Sequence, residues 1–258
     1  PSPEVGSFLP DDLFFEPVDM QTTPVSTLVS ACDIDHSVGP VPGRRGGRVA
    51  GYERWNEFHG KYLDIYHKLR NNPTRPEAVS RMSPYLHFGH VSPFRLAREA
   101  LASDADGADK YIDEMVTWRE MSHYFCFRHR NHDSFDVLPD WAWNTLRAHE
   151  SDSRDDIYSW ETLAEAKTDD QLWNLCQEWL LRHGELHNNV RMTWAKKLLE
   201  WTETPQRALE VAIDLNHRYA LDGRDPCSYL GILWCFGAFD RPYDKERPII
   251  GRVRPRDS

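Results

Sequence analysis

Paired cysteines are the first thing this sequence lacks. Its five cysteines, Cys32, Cys126, Cys176, Cys227 and Cys235, are odd in number and form no C-x-x-C pair. That argues against a disulfide scaffold and suits free thiols in a reducing compartment. No apolar run reaches the ~18 residues of a membrane span, and no signal peptide is visible. An intracellular, cytoplasmic protein without a membrane partner is expected, nuclear if its source is eukaryotic. Lysine is scarce, 7 against 24 arginines, and the formal charge is −10. A chain this acidic is not, as a whole, attracted to DNA, so any nucleic-acid surface must be a local basic patch. The arginine excess offers planar donor forks for phosphate or carboxylate, although GC-rich coding or a salty habitat explains it equally well.

The common enzyme and metal motifs are missing too. There is no G-x-G-x-x-G, no P-loop, no H-E-x-x-H and no G-x-S-x-G. His129 and His132 in "FRHRNHD" read as a polar surface turn rather than a ligand set, and no metal site is expected. The sequence has no internal repeat and no sustained β-type alternation before the short "RPIIGRVR" near its end.

What is present is a large apolar and aromatic content, 40% and 12% of residues, with ten tryptophans. A sizeable core follows. Residues 1–48 are rich in Pro, Ser, Gly and Asp and read as a linker-like arm with one short helix near Val25–Cys32. The basic loop "GRRGGR" closes it. Residues 49–258 read as a single all-α domain. "ERWNEFHGKYLDIYHKL" repeats its aromatics and leucines at spacings of three and four. "SPFRLAREALAS" opens on Ser92 as N-cap with Pro93 behind it. "DKYIDEMVTWREMSHYFCF" reads as one continuous helix, and "TDDQLWNLCQEWLLRHG" as another stopping at Gly184. "NNVRMTWAKKLLEW" is next. "TPQRALEVAIDLNHRYALDG" is capped by Thr204 and stops at Gly223. "PCSYLGILWCFGAF" is apolar and buried.

Three of these helices carry polar residues on faces that should be apolar. Glu114 joins Tyr111, Met115 and Trp118; Arg191 lies in line with Trp194, Leu198 and Trp201; Asn216 joins Ala212 and Leu215. A buried polar group without a partner costs ~1–3 kcal/mol or more. Internal pairing explains any one of them. Three together, accompanied by indoles, favour a polar-aromatic pocket between helices. Whether Trp194 and Trp201, two turns apart, only pack or do chemistry stays open at this level.

"SRMSPYLHFGHVSP", residues 80–93, resembles the flavin-phosphate motif of the photolyase/cryptochrome family. "WREMSHYFCF", "LHNNVRMTWAKKLLEWTE", "LNHRYALDGRDP" and "ERPIIGRVR" resemble successive family signatures in family order. The match runs from about Pro10 to Arg254 and is most similar to class II cyclobutane pyrimidine dimer photolyases.

The resemblance implies a helical FAD-binding domain that repairs pyrimidine dimers in DNA by electron transfer from light-excited reduced FAD. A cryptochrome-like light sensor or a redox flavoprotein without repair activity is the alternative. It implies that Ser80, Arg81, Met82 and Ser83 line the FAD phosphates, with Tyr66 and Asn188 also on the cofactor. Arg191 pairs with Asp222 over the flavin ring, and Asn216 faces flavin N5. Trp194, Trp173 and Trp201 relay electrons. Glu114, Trp118, Met192 and Trp234 contact the dimer, which is flipped out of the duplex. Arg241, Tyr243, Arg247 and Arg252 supply the DNA surface.

There are departures from the family pattern. No counterpart of the N-terminal α/β antenna domain is present, as in an excised fragment or a naturally short protein, and a separate antenna partner is left open. Val79 replaces a hydroxyl or amide residue, Cys227 replaces an asparagine, and Tyr243 replaces the tryptophan of an altered "FGAFDRPYDKER" loop. The basic tail of class II enzymes is missing. A monomer is expected.

Overall fold

The computed structural model describes Val18, Asp19 and residues 22–256. Most of the first 21 residues, including the start of the matched stretch at Pro10, lie outside the described residues. The chain divides into two compact units, residues 1–40 and 41–258. In the first, the described residues hold one short helix, α1 (Val25–Ser30), none of whose residues is buried.

The second unit is helical. Among the described residues no strand forms, and "RPIIGRVR" yields only an isolated antiparallel bridge between Arg247 and Gly251. No described helix is long and apolar enough to cross a membrane. Its helices pack around two separate cores, and the seam between those cores is where the site lies.

The first core gathers α2 (Arg48–Lys61), α3 (Tyr66–Leu69), α4 (Ser83–His87), α5 (Pro93–Leu101) and α6 (Ala108–Ile112) around Trp55, Phe58, Leu63, Leu96 and Tyr111. The spacing in "ERWNEFHGKYLDIYHKL" predicts one helix, but the chain breaks between Lys61 and Tyr66. Gly107 packs so closely there that a Cβ on it would lie 1.9 Å from the Leu63 carbonyl oxygen. Tertiary packing overrides local periodicity at that point. At α5 the expected cap forms, with Ser92 Oγ accepting from Arg95 N at 3.4 Å.

The helix expected to run unbroken through Glu114 and Trp118 does not. Asp113–Trp118 is a π-helical segment between α6 and α7 (Arg119–Arg128). Its wider turn shifts the register, so one stripe of period 3.6 cannot be drawn through both halves. Tyr111, Met115 and Ser122 are buried, whereas Glu114 and Trp118 are only half-buried.

The second core is built by α8 (Asp140–Ala148), α9 (Trp160–Ala164), α10 (Gln171–His183), α11 (Asn188–Trp201), α12 (Pro205–Tyr219) and α13 (Pro226–Cys235) around Leu146, Leu180, Trp194, Leu198, Leu215 and Phe236. Thr204 caps α12, accepting from Arg207 N at 3.1 Å. Gly184 ends α10 in the left-handed region at φ 64°, where any β-carbon would collide with Leu221 and Val41, so only glycine fits. α12 stops at Tyr219, short of Gly223. The chain leaves it because Leu221 N donates to Gly184 O at 2.8 Å. That cross-link between two helix ends turns Asp222 toward α11.

Candidate functional site

A cavity of about 550 Å³ opens in the seam between the two cores, within the ~300–1,000 Å³ of sites for small molecules and cofactors. Tyr66, Ser80, Arg81, Ser83 and Glu114 line it from the first core. Leu175, Trp179, Asn188, Arg191, Asp222 and Ser228 line it from the second.

The loop before α4 is one polar end. Arg54 holds it from behind, Nε donating to Ser80 O at 2.9 Å and Nη2 to Val79 O at 2.7 Å. Arg81 sits in the left-handed region at φ 56°, an uncommon conformation for a branched-free cation and one that marks a constrained loop. Its Nη1 lies 3.2 Å from Glu185 Oε1, which Arg44 also reaches. Two guanidinium groups therefore share one carboxylate, leaving a net positive end beside the Ser80 and Ser83 hydroxyls.

The other end is made where α11 begins and α12 stops. Arg191 Nη2 donates to Asp222 Oδ2 at 3.3 Å, and Nη1 lies 3.0 Å from Oδ1 without the alignment of a hydrogen bond. The pair is held chiefly by charge. Arg191 Nε and Asp222 Oδ1, both buried, have no hydrogen-bond partner among the described residues. Asn216 is fully buried behind this wall, its Nδ2 donating to Ser228 Oγ at 2.6 Å while its Oδ1 has no partner among the described residues. Orphaned polar atoms in native proteins call for a ligand or water to complete them. A cationic, hydroxyl-bearing end before α4, plus unpaired polar groups on α11, on α12 and just after it, fits a dinucleotide with anionic phosphates and a polar ring system. FAD fits this donor set.

The α11 N-terminus is oriented by His187, which sequence reasoning missed. Its Nε2 bonds the Arg70 carbonyl at 3.0 Å, and its Nδ1 accepts from Asn189 N at 3.3 Å as the helix cap. Those roles require the neutral Nε2–H ring, and burial correspondingly lowers its pKa. The only local signal was a polar "HNN" before an apolar-periodic segment.

Glu114 stands on the cavity wall with charge compensation that the sequence reading did not name. Arg70 Nη2 and Lys110 Nζ each lie 2.8 Å from Oε1. The i,i+4 spacing of Lys110 is a local signal that could have found it; Arg70, on another element, left none. No described protein group bonds Oε2, which leaves that oxygen for a ligand.

Of the residues the resemblance assigns to FAD, Tyr66, Ser80, Arg81, Ser83, Asn188, Arg191 and Asp222 are brought together on one cavity. Met82 points into the first core at 1% exposure, and Asn216 lies behind Ser228 rather than on the wall. Of the four assigned to the dimer, only Glu114 lines the cavity. Trp118, at the end of the π-helical segment, meets Trp234 on α13 with ring centroids 5.1 Å apart and the planes tilted by 45°. Met192 follows Arg191 on α11, and its carbonyl accepts from Cys235 Sγ at 3.6 Å. Cys227 lies on the cavity wall beside Arg119, whose Nη1 reaches the buried Asp225 at 3.1 Å.

The three relay candidates form one buried stack. Trp173 and Trp194 are parallel within 7° at 6.0 Å, and Trp173 meets Trp201 edge-on at 5.4 Å. Trp173 Nε1 donates to Trp194 O, and Trp194 Nε1 donates to Gln177 Oε1, each at 3.0 Å. Arg241, Arg247 and Arg252 are exposed on a loop that Tyr243 closes, its N donating to Arg252 O at 2.8 Å. Tyr243 itself is half-buried. His129 and His132 gather no metal donors, and no group of three metal-binding side chains occurs among the described residues.

No family model matches the chain. Known proteins do. A deoxyribodipyrimidine photo-lyase of Oryza sativa subsp. japonica is 44% identical over 201 residues, covering 76% of this chain and 40% of that protein. Proteins of the same name from Methanothermobacter thermautotrophicus and Arabidopsis thaliana are each 41% identical, over 81% and 83% of this chain. The chain belongs to the photolyase/cryptochrome family. A bacterial class III photolyase from Agrobacterium tumefaciens shares the fold, with a TM-score of 0.60 at 22% identity, covering 74% of this chain and 38% of that one. The chain spans less than half the length of the curated relatives just named.

His217, next to Asn216, gives the stability of the fold a pH signature. Burial, and then the Arg224 charge, pull its pKa down to about 4. Its Nε2 is buried without a hydrogen-bond partner among the described residues, and its ring packs edge-on against Tyr229 at 4.4 Å. With the folded value below the ordinary 6.5, the unfolded chain takes up a proton first. Stability from this residue is complete above pH 6.5 and is lost as pH falls toward 4. Discounting for partial exposure of the ring, the loss by pH 5 is about 1 kcal/mol. Urea unfolding at pH 7.5 and 5 should show that difference in the wild type and a smaller one in His217→Gln. Equal pH dependence of the two proteins would rule the assignment out.

Proposed function

We propose that this chain is the flavin-binding, catalytic part of a light-driven lyase that splits cyclobutane pyrimidine dimers in DNA, with FAD as cofactor. The observation that carries the reading is Glu114: a carboxylate on the wall of the cavity, with one oxygen unbonded, on the same π-helical segment as Trp118. The names of the relatives, deoxyribodipyrimidine photo-lyases, support the substrate class.

Ser80, Ser83 and the Arg81 end hold the phosphates. Arg191 and Asp222 clamp the ring. When bound and reduced, FAD supplies under blue light the electron that opens the cyclobutane ring and receives it back. Glu114 Oε2 accepts or shares a hydrogen bond at the base edge of the dimer, where negative charge develops. The Trp118–Trp234 pair provides apolar faces for the extruded bases. Trp194, Trp173 and Trp201 carry electrons inward to restore the reduced cofactor. Arg241, Arg247 and Arg252 give an acidic chain a local phosphate-binding surface, so affinity should fall steeply with salt.

The test is dimer loss from an oligonucleotide carrying one thymine dimer, with photoreduced protein, in blue light and in darkness. Light-dependent loss is expected. In Glu114→Gln the rate should drop about tenfold, since a charge-assisted bond becomes a neutral one. No loss by wild-type protein that has FAD bound and photoreduces normally would sink repair. The net charge of −10 favours the alternative in that event, a light-sensing or redox flavoprotein on the same fold.

A further inference from the structure

Lys196 is a charged residue at only 9% exposure, deep between α11 and the C-terminal segment. A buried ammonium needs acceptors. Its Nζ donates to Cys235 O at 2.9 Å and to Arg254 O at 2.8 Å. The first acceptor is in the last turn of α13, directly after Trp234, where an unsatisfied carbonyl attracts a cation. The second lies in the segment that follows the basic loop. Arg254 in turn grips Asp240 with two parallel bonds, Nε to Oδ2 and Nη2 to Oδ1, both 2.9 Å. Asp240 closes the turn that begins at Trp234. The contacts therefore make a ring: Lys196, Cys235, the turn to Asp240, Arg254, and back to Lys196.

We propose that Lys196 is a positioning residue for the lesion pocket, bracing the Trp234 indole against Trp118 by fixing both ends of the turn behind it. The inference rests on the repair reading above for its functional consequence, though not for its structural one. The brace sits one helical turn from Met192, whose carbonyl accepts from the Cys235 thiol. α11, α13 and the C-terminal segment are thus joined at one point, with Trp234 and Met192 on the helices so joined. The charged and titratable groups around Lys196 are Cys235, Asp240, Arg254 and Arg256. Burial lowers its pKa, with Asp240 acting in the opposite sense. The site lies outside the FAD cavity, so its loss should leave the cofactor in place.

Lys196→Met keeps the stem and removes the donors. Two readouts are used. The first is near-UV circular dichroism of the coupled Trp118–Trp234 pair, taken as the signal that Trp118→Phe abolishes; it does not depend on repair. Lys196→Met should lose most of it, and Lys196→Arg should recover it. The second is repair kinetics: KM for dimer-containing oligonucleotide should rise about tenfold, with kcat and bound FAD within about twofold. An unchanged Trp118–Trp234 signal overturns the brace. A changed signal with unchanged KM overturns its role in lesion binding. Loss of FAD together with kcat would mark a general core defect and overturn it as well. If wild-type protein repairs nothing, the repair reading fails while the dichroism still decides the brace. Should Lys196→Met not fold, Asp240→Asn decides: it opens the ring at its outer edge and should shift both readouts in the same direction.

Discussion

Replacing Trp173 with phenylalanine is expected to stop photoreduction of the bound cofactor while leaving repair by chemically reduced protein nearly unchanged. Trp173 is the middle of the stack, parallel to Trp194 on one side and edge-on to Trp201 on the other. All three are at most 7% exposed, so no solvent molecule substitutes for the missing indole. Phenylalanine fills most of the volume and is far harder to oxidise. The initial photoreduction rate, followed by bleaching of oxidised flavin under blue light with an external reductant, should fall at least about tenfold, the factor that ~1.4 kcal/mol of added barrier gives. The cost to stability is modest, about 1–2 kcal/mol, from the lost bond to Trp194 O and a partly collapsed cavity. If photoreduction is unaltered, the indoles only pack, and the relay assignment is wrong. Repair by dithionite-reduced protein separates this from damage to the lesion pocket.

Asp222→Asn should have the other large effect, on cofactor retention. The substitution keeps shape and removes charge. It leaves Arg191, whose side chain is 16% exposed, without its counter-charge in the cavity wall. Breaking one partner out of a fully buried pair costs about 3–5 kcal/mol, and this part-buried pair sits below that range. Part of that reappears as a misplaced guanidinium, so FAD should bind about 100-fold more weakly, equivalent to ~2.7 kcal/mol. Titration of apo-protein with FAD, read by quenching of flavin fluorescence, measures it. Asp222→Glu, which keeps the charge, should recover much of the affinity. Wild-type affinity in Asp222→Asn would remove the pair from the cofactor site.

These two predictions draw on different depths of the sequence. The tryptophans on α11 were visible as a stripe, because seven residues is two helical turns, and their burial followed from hydrophobicity. The caps at Ser92, Thr204 and Gly184 were equally local. Trp173 joined the stack through a contact between two helices, which only the family resemblance had suggested. The helix breaks were not legible. Gly107 against Leu63, and the bond from Leu221 N to Gly184 O, act across long stretches of chain, and they ended α2 and α12 earlier than the local pattern predicts. The π segment is a similar case. Its wider turn left Glu114 and Trp118 half-buried where a stripe of period 3.6 placed them on the apolar face.

The site shows the same division. By itself the sequence determined the helical class, the caps, the polar residues standing on apolar faces and the basic character of the C-terminal loop, because each depends on residues within a turn or two of one another. The tertiary structure alone decided that two cores leave a cavity between them, that Arg70 and Lys110 converge on one oxygen of Glu114, that Asn216 stands behind Ser228, and that Lys196 closes a ring through Arg254 and Asp240. Those outcomes depend on where whole helices come to rest, and that is set by the summed packing of both cores rather than by any local pattern.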